Sequence, residues 1–278
     1  WTLDVGRWTF PMLSLKTAIF PSSVGELTRL LNETLRQTFV VDADPVSLQE
    51  ATYPHLEELS VSLDGARLRD NSPRPSSASG AATPALEVDR LTLNASALSL
   101  GPATVDVSLS ARAVQFVQTP NGDDEIILSI ESAADGRIEI SASPPDLEAV
   151  IAKVAKNEVG KHGVTIDSVE LKLRSKSSRS LAAEVCLRAC KIFLNASIRI
   201  TGQLDLDEEL NATISGLDCT GDGAIATLAC GVLKPHLQKL DGREFALMSL
   251  PLGEIRLRDV QVSVGDKLSV TAQFGKVT

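Results

Sequence analysis

The sequence predicts an α+β fold in which a long, strongly curled antiparallel sheet wraps two or three amphipathic helices. Three observations predict it. Long stretches alternate aliphatic and polar residues, the period of a strand with one apolar face. Only three segments carry helical spacing, and two of them open with an N-cap signature. Among the 278 residues no run of about 18 apolar residues marks a bilayer span.

Residues 1–22 read as a linker or short strand ahead of a single domain over 23–278. In FPSSVGELTRLLNETLRQTFVV, Ser23 and Glu26 have capping-box spacing, and Val24, Leu27, Leu31, Leu35 and Phe39 fall on one side. This predicts a helix over 23–39. HLEELSVSLDGARL then alternates as a strand. DNSPRPSSASGAATP, residues 70–84, is the one low-complexity stretch, and it reads as a mobile loop between two strands because strand patterning resumes at once. LEVDRLTLNASALSL, ATVDVSLSARAVQFV, DEIILSIES and GRIEISAS follow, with turn signals at Asn121-Gly122 and Asp135-Gly136.

A second helix is predicted over 145–160. Ser143 is its N-cap, Pro144 suits the first turn, and Asp146 faces the positive end of the dipole. Leu147, Val150, Ile151 and Val154 make its apolar stripe, and Gly160 stops it. Alternation returns in VTIDSVELKLRS, SLAAEVCLRACKIFLNASIRITGQLDLD and ELNATISGLDC. A third helix, GAIATLACGVLKPHLQKL, carries Ile225, Leu228, Val232, Leu233, Leu237 and Leu240 on one broad side, and Pro235 is expected to kink or split it. The chain closes on a hairpin pattern in which Ile255, Leu257, Val260, Val262 and Val264, then Leu268, Val270, Ala272 and Phe274, alternate with polar residues. Each of the first two helices leads into strands sharing a Val-x-Leu core, so the domain reads as two similar halves, about 23–142 and 143–278.

Composition narrows the function. Hydrophobic residues make up 43% but aromatics only 4%, so the apolar surface is Val, Leu, Ile and Ala. That lining suits flexible chains better than flat rings. The net charge of −9 argues against nucleic acid, whose phosphates need clustered Lys and Arg. It also weakens tight docking on anionic lipid, although a local basic patch escapes the average.

The search for chemistry excludes more than it finds. There is no nucleophile elbow, HExxH, phosphate-binding P-loop or dinucleotide glycine pattern. The glycine-rich CTGDGA at 219–224 precedes a helix, where a cap explains it better than an anion site. Asp205, Asp207, Glu208 and Glu209 fall in a hairpin turn, the ordinary place for solvated charge. His55, His162 and His236 are scattered, with His162 near a helix end and His236 read as a satisfied core residue. Cys186, Cys190, Cys219 and Cys230 permit two disulfides in an oxidising compartment or four buried thiols. They lack zinc spacing. Asn32, Asn94, Asn195 and Asn211 each sit in N-x-S/T, a glycan acceptor in a secretory eukaryotic chain, but a Ser/Thr-rich strand protein generates the motif by chance, and that reading is preferred. No catalytic residue, metal ligand or cofactor is assigned, and the chain is read as non-enzymatic.

Three stretches, SPPDLEAVIAKV, VTIDSVELKLRS with CKIFLNASIRITGQLDLD, and SLPLGEIRLRDVQVSVGDKLSVTAQFG, carry a resemblance. Together they resemble the LmeA-like phospholipid-binding family of the tubular lipid-binding (TULIP) superfamily, and LEVDRLTLNASALSL looks like that family's upstream sheet. The likeness is of pattern, from about residue 20 onward; the Pro-Ser-rich loop and the cysteines depart from it. The resemblance implies a sheet wrapped around helices with an acyl-chain groove, and an extracytoplasmic or envelope role in binding or moving lipid. The expected function is therefore binding and transfer of a phospholipid or other acyl-chain lipid, with transient membrane contact. Its lining is expected from Leu27, Leu31, Val150, Ile151, Val154, Leu257 and Val262. The alternative is a packed scaffold domain that meets a protein partner.

Overall fold

The computed structural model describes residues 13–69, 80–121, 124–160, 165–191, 194–207, 211–246 and 257–276. The N-terminal segment before Leu13, most of the Pro-Ser-rich stretch, Gly122 of the Asn121-Gly122 turn, His162, Glu208, Glu209 and Ile255 lie outside them, as does the side chain of Ile225.

The first part of the chain runs β1 (Leu13–Leu15), α1 (Val24–Thr38), β2 (Phe39–Val40), β3 (Val46–Thr52), β4 (His55–Ser62) and β5 (Arg67–Leu68). Next come the long strands β6 (Thr83–Leu100) and β7 (Ala103–Asn121), then β8 (Glu125–Ser132), β9 (Asp135–Ala142) and α2 (Pro144–Val159). The remainder is β10 (Thr165–Ser177), β11 (Ser180–Lys191), β12 (Leu194–Leu206), β13 (Asn211–Gly221), α3 (Ala224–Leu240), β14 (Glu244–Ala246), β15 (Leu257–Val264) and β16 (Leu268–Phe274).

These elements correct the expected fold class. Strands account for 61% and helices for 20%, and the large sheet is mixed and not strongly curled, so the fold is β-rich and not an α+β sheet wrapped around helices. There are two sheets. The large one has eleven strands along the path β15-β16-β9-β7-β6-β4-β3, with β8, β1, β2 and β5 joined at its side; the small one is the meander β10-β11-β12-β13-β14. Helix α1 packs against β1, β2 and β3 of the large sheet, whereas α2 lies mainly on β10 of the small one and touches β7 of the large one, and α3 lies on β13 and β12 of the small sheet. The helices are thus divided between the two sheets, and no single sheet has to curl around all three.

Two pairings explain why uniform antiparallel alternation fails. Strand β4 pairs parallel to β6, with Leu59 opposite Leu91. Parallel neighbours need a crossover of about a dozen residues or more, and the chain between β4 and β6, including the Pro-Ser-rich stretch, supplies it. The C-terminal strand β16 pairs with β9, not with the small sheet, setting Phe274 opposite Gly136. Asp135-Gly136 is therefore strand and not turn. A Cβ at Gly136 would lie 2.2 Å from the Phe274 ring, so the glycine makes room for a side chain that is 0% exposed.

Helix ends follow the caps. Ser23 accepts from the Glu26 N–H at 3.3 Å, and Glu26 accepts in turn from the Ser22 N–H at 3.2 Å. Ser143 accepts from the Asp146 N–H at 3.3 Å. Helix α3 continues through Pro235 rather than splitting, although proline removes the N–H that the Gly231 carbonyl would accept and its ring crowds that carbonyl.

Buried side chains form two clusters. The larger gathers α1, the large sheet and a few small-sheet residues, among them Leu181, Leu206 and Ala212. The smaller joins Ala155 of α2 and Ala226, Ala229 and Leu233 of α3 to Ile166, Leu187, Ala189, Ala196 and Ile198. The sheets also meet where the Val262 N–H donates to the Ser178 carbonyl at 2.8 Å.

Candidate functional site

The seven residues expected to line one groove do not come together. Leu27, Leu31, Leu257 and Val262 share the large cluster, each at most 6% exposed. They are packed by protein. Ile151 borders the small cluster. Val150 and Val154 are open to solvent, at 36% and 39% exposure.

The second helix explains this division. Asp146 anchors its N-terminus by accepting from the Thr104 N–H of β7 at 2.8 Å and from the Ser143 hydroxyl. The Ser143 bond first, then the Thr104 contact, hold the Asp146 carboxyl below the usual carboxylate range against the opposing effect of desolvation. Two residues on, Glu148 accepts from the Leu171 N–H at 2.7 Å. Strand β10 pairs only with β11, so that N–H belongs to the free edge. Glu148 therefore marks the flank of α2 that faces the edge. Helical spacing of about 100° per residue puts Ile151 and Ala155 toward the sheet and Val150 and Val154 on the flank opposite Glu148.

With α2 on β10 and α3 on β12 and β13, β11 runs between the helices. On the same face, Val185 pairs with Ile200 and Leu187 with Ile198. Leu187 and Ile198 are sealed, at 1% and 0% exposed, while Val185 and Ile200 are half-buried. Between the helices Val185 and Ile200 form the floor of a shallow aliphatic strip, the trough, with α2 on one side of it and α3 on the other. Leu228 of α3, 50% exposed, adds apolar surface on the outer side of the other helix.

The trough is braced. Cys219 and Cys230 form a disulfide, with Cα atoms 5.6 Å apart, that ties α3 to β13. Cys186 and Cys190 remain thiols. They sit four residues apart on one strand, roughly 13 Å, beyond the reach of a mutual disulfide. Gly221 in the glycine-rich segment is explained by packing, because a Cβ there would meet Ala226 and the Ser197 carbonyl at 2.7 Å.

The remaining polar residues are also accounted for. Asn32 is 5% exposed, and its side-chain oxygen accepts from the Val46 N–H at 2.9 Å, so its motif is not open to modification in the folded chain. Asp207 accepts from the Asn211 backbone and side chain at 2.7 and 2.9 Å, closing its turn. His236 is exposed on α3, not a core residue, because it lies outside the arc of Ala226, Ala229 and Leu233. Among the described residues no group of three His, Cys, Asp or Glu side chains could hold a metal. Glu148, which orients the whole wall, was not singled out from sequence; its only signal was a carboxylate on the flank opposite Val150 and Val154. Compared with protein-family models, curated proteins and solved structures, the chain matches none.

Proposed function

We propose that the chain binds an acyl-chain lipid along the trough between α2 and α3, and that it exchanges the lipid through transient contact with a membrane. The observation that carries this reading is the exposure of Val150 and Val154 on the flank of α2 opposite Glu148. A helix surrounded by water gains nothing from exposed valines, whereas a flexible chain laid against them buries its methylenes at about 0.8 kcal/mol each. The sixteen residues of α2 give the wall a length of about 24 Å at 1.5 Å per residue. The resemblance to the LmeA-like family supports the same ligand class, although the large sheet does not wrap around the helices as it implied. An extracytoplasmic setting accords with the Cys219–Cys230 disulfide, which an oxidising compartment preserves. No catalytic step is assigned.

A second reading, a scaffold domain for a protein partner, is favoured by one observation: Leu27, Leu31, Leu257 and Val262 are packed by protein rather than lining a groove. Native mass spectrometry of the purified chain, followed by lipid extraction, separates the two. Lipid is expected to accompany the wild type and to be reduced in a Val150→Ser/Val154→Ser double variant of unchanged stability. Recovery of no lipid, together with no uptake of a fluorescent fatty acid, would leave the scaffold reading.

A further inference from the structure

The net charge hides an uneven distribution. On β10, Lys172, Arg174 and Lys176 alternate with Leu171 and Leu173, so the three cations stand on the face of the small sheet turned away from the trough. Their spacing along the strand is about 6.7 Å. Neighbouring strands complete a cleft of about 340 Å³ lined also by Ala182, Glu184, Thr201, Gln203, Ser215 and the backbone at Gly202 and Gly216. That volume lies within the range of small-molecule sites, which starts near about 300 Å³.

The floor is open because the sequence withholds side chains there. Ala182 stands between Arg174 and Gln203 in register. Beside it the β12–β13 pairing shifts between Thr201 and Gln203, and Gly216 takes φ +62 in that irregularity. Bulges of this kind re-aim side chains at the margins of sites. Three cations face one lining carboxylate, Glu184, and that carboxylate is drawn toward Arg199 at 3.7 Å. Lys172 reaches Glu170 at 3.2 Å, and Lys176 donates to Gln203, which itself donates to Asp205 at 2.7 Å. Arg174 has no ion-pair partner among the described residues. An unpaired guanidinium between two lysines, over a small-residue floor beside the Thr201 hydroxyl, has the chemistry of an oxyanion receptor.

We propose that this cleft binds a phosphate-bearing anion, with Arg174 as the bidentate donor and Lys172 and Lys176 as flanking charges. The same chemistry serves a soluble phosphate compound or a phospholipid headgroup. The cleft and the trough occupy opposite faces of the small sheet, so this site does not depend on the lipid reading and different variants remove each.

The test is calorimetric titration of the full chain with inorganic pyrophosphate at low salt, paired with sedimentation on phosphatidylglycerol–phosphatidylcholine vesicles. Pyrophosphate is expected to bind the wild type. Arg174→Ala should weaken it about tenfold or more, the loss of a charge-assisted pair. Arg174→Lys, which keeps the charge but not the planar fork, should weaken it less. Ala182→Leu should weaken it by filling the floor, and Arg90→Ala, on the large sheet and paired with Glu58 at 3.0 Å, should leave it unchanged. Vesicle binding displaced by pyrophosphate identifies a headgroup; pyrophosphate binding without sedimentation identifies a soluble anion. No pyrophosphate binding, or equal binding by the wild type and Arg174→Ala, overturns the proposal.

Discussion

Helices α1 and α2 begin alike and end differently. Each opens on a serine whose hydroxyl accepts from the residue three along, and each carries an aliphatic stripe. Yet Leu27, Leu30, Leu31 and Leu35 of α1 are buried, none more than 4% exposed, while Val150 and Val154 of α2 are exposed by more than a third. The difference is in the partners. Helix α1 is held among β1, β2 and β3, and even its polar Asn32 is buried as an acceptor for β3. Helix α2 lies on the edge strand β10 and touches β7 at its start, oriented by two carboxylates, and Val150 and Val154 on its far flank stay exposed. A stripe shows that a helix has an apolar side. Whether that side is filled depends on how many surfaces converge on it.

The strongest test of this contrast is a pair of truncations. Leu31→Ala should cost about 2–5 kcal/mol by opening a cavity in packed surroundings, whereas Val154→Ala should change stability by less than about 0.5 kcal/mol, as exposed positions do. Urea unfolding of both variants measures the gap. Equal losses would mean that the α2 flank is covered like that of α1, and the trough would disappear with the contrast.

The disulfide offers a smaller and more local probe. Its cysteines are separated by 11 residues, and a loop of that size is worth about 3 kcal/mol in the chain-entropy account. A Cys219→Ser/Cys230→Ser variant should lose amide protection chiefly in α3, β12 and β13, leaving α1 and the large sheet near their wild-type values. Uniform loss across both sheets in hydrogen exchange would show that the two clusters unfold as one unit.

The smallest effect concerns pH. The folded chain holds Asp146 below its ordinary value through Ser143 and Thr104. Its contribution is therefore complete above the unfolded carboxylate pKa and is lost as pH falls through the depressed folded value. The start of α2 and the Thr104 amide should loosen in that acid window, as followed by NMR, and Asp146→Asn should show the loosening at neutral pH. An unchanged Thr104 amide in the Asn variant would remove Asp146 as the anchor of α2.

Much of this architecture was legible in the residues. Ser23 and Ser143 set the helix starts to within a residue or two, because a cap is a local hydrogen bond between neighbours in sequence. The alternation in VELKLRS and in the closing hairpin correctly identified β10, β15 and β16, because a strand's two faces are written in its period of two. The lysines and arginine of β10 were visible too, but averaging the charge over the whole chain concealed that every second residue projects to one face.

What the residues left open were the neighbours. Alternation in β16 reads identically whether it pairs with β9 or with the small sheet, and only the assembled fold sets Phe274 over Gly136. Nothing local distinguishes the parallel partner of β4 from an antiparallel one, since the intervening length decides which geometry is reachable. Cys219 could have paired with any of three cysteines until α3 lay over β13. Leu31 and Val154 are both aliphatic residues on helical stripes, one in a filled core and the other beside an open trough. Sequence determined the elements and their faces, because those depend on contacts a few residues apart. Tertiary structure decided pairing, burial and the position of each candidate site, because burial belongs to two surfaces and only one of them is encoded in any given stretch.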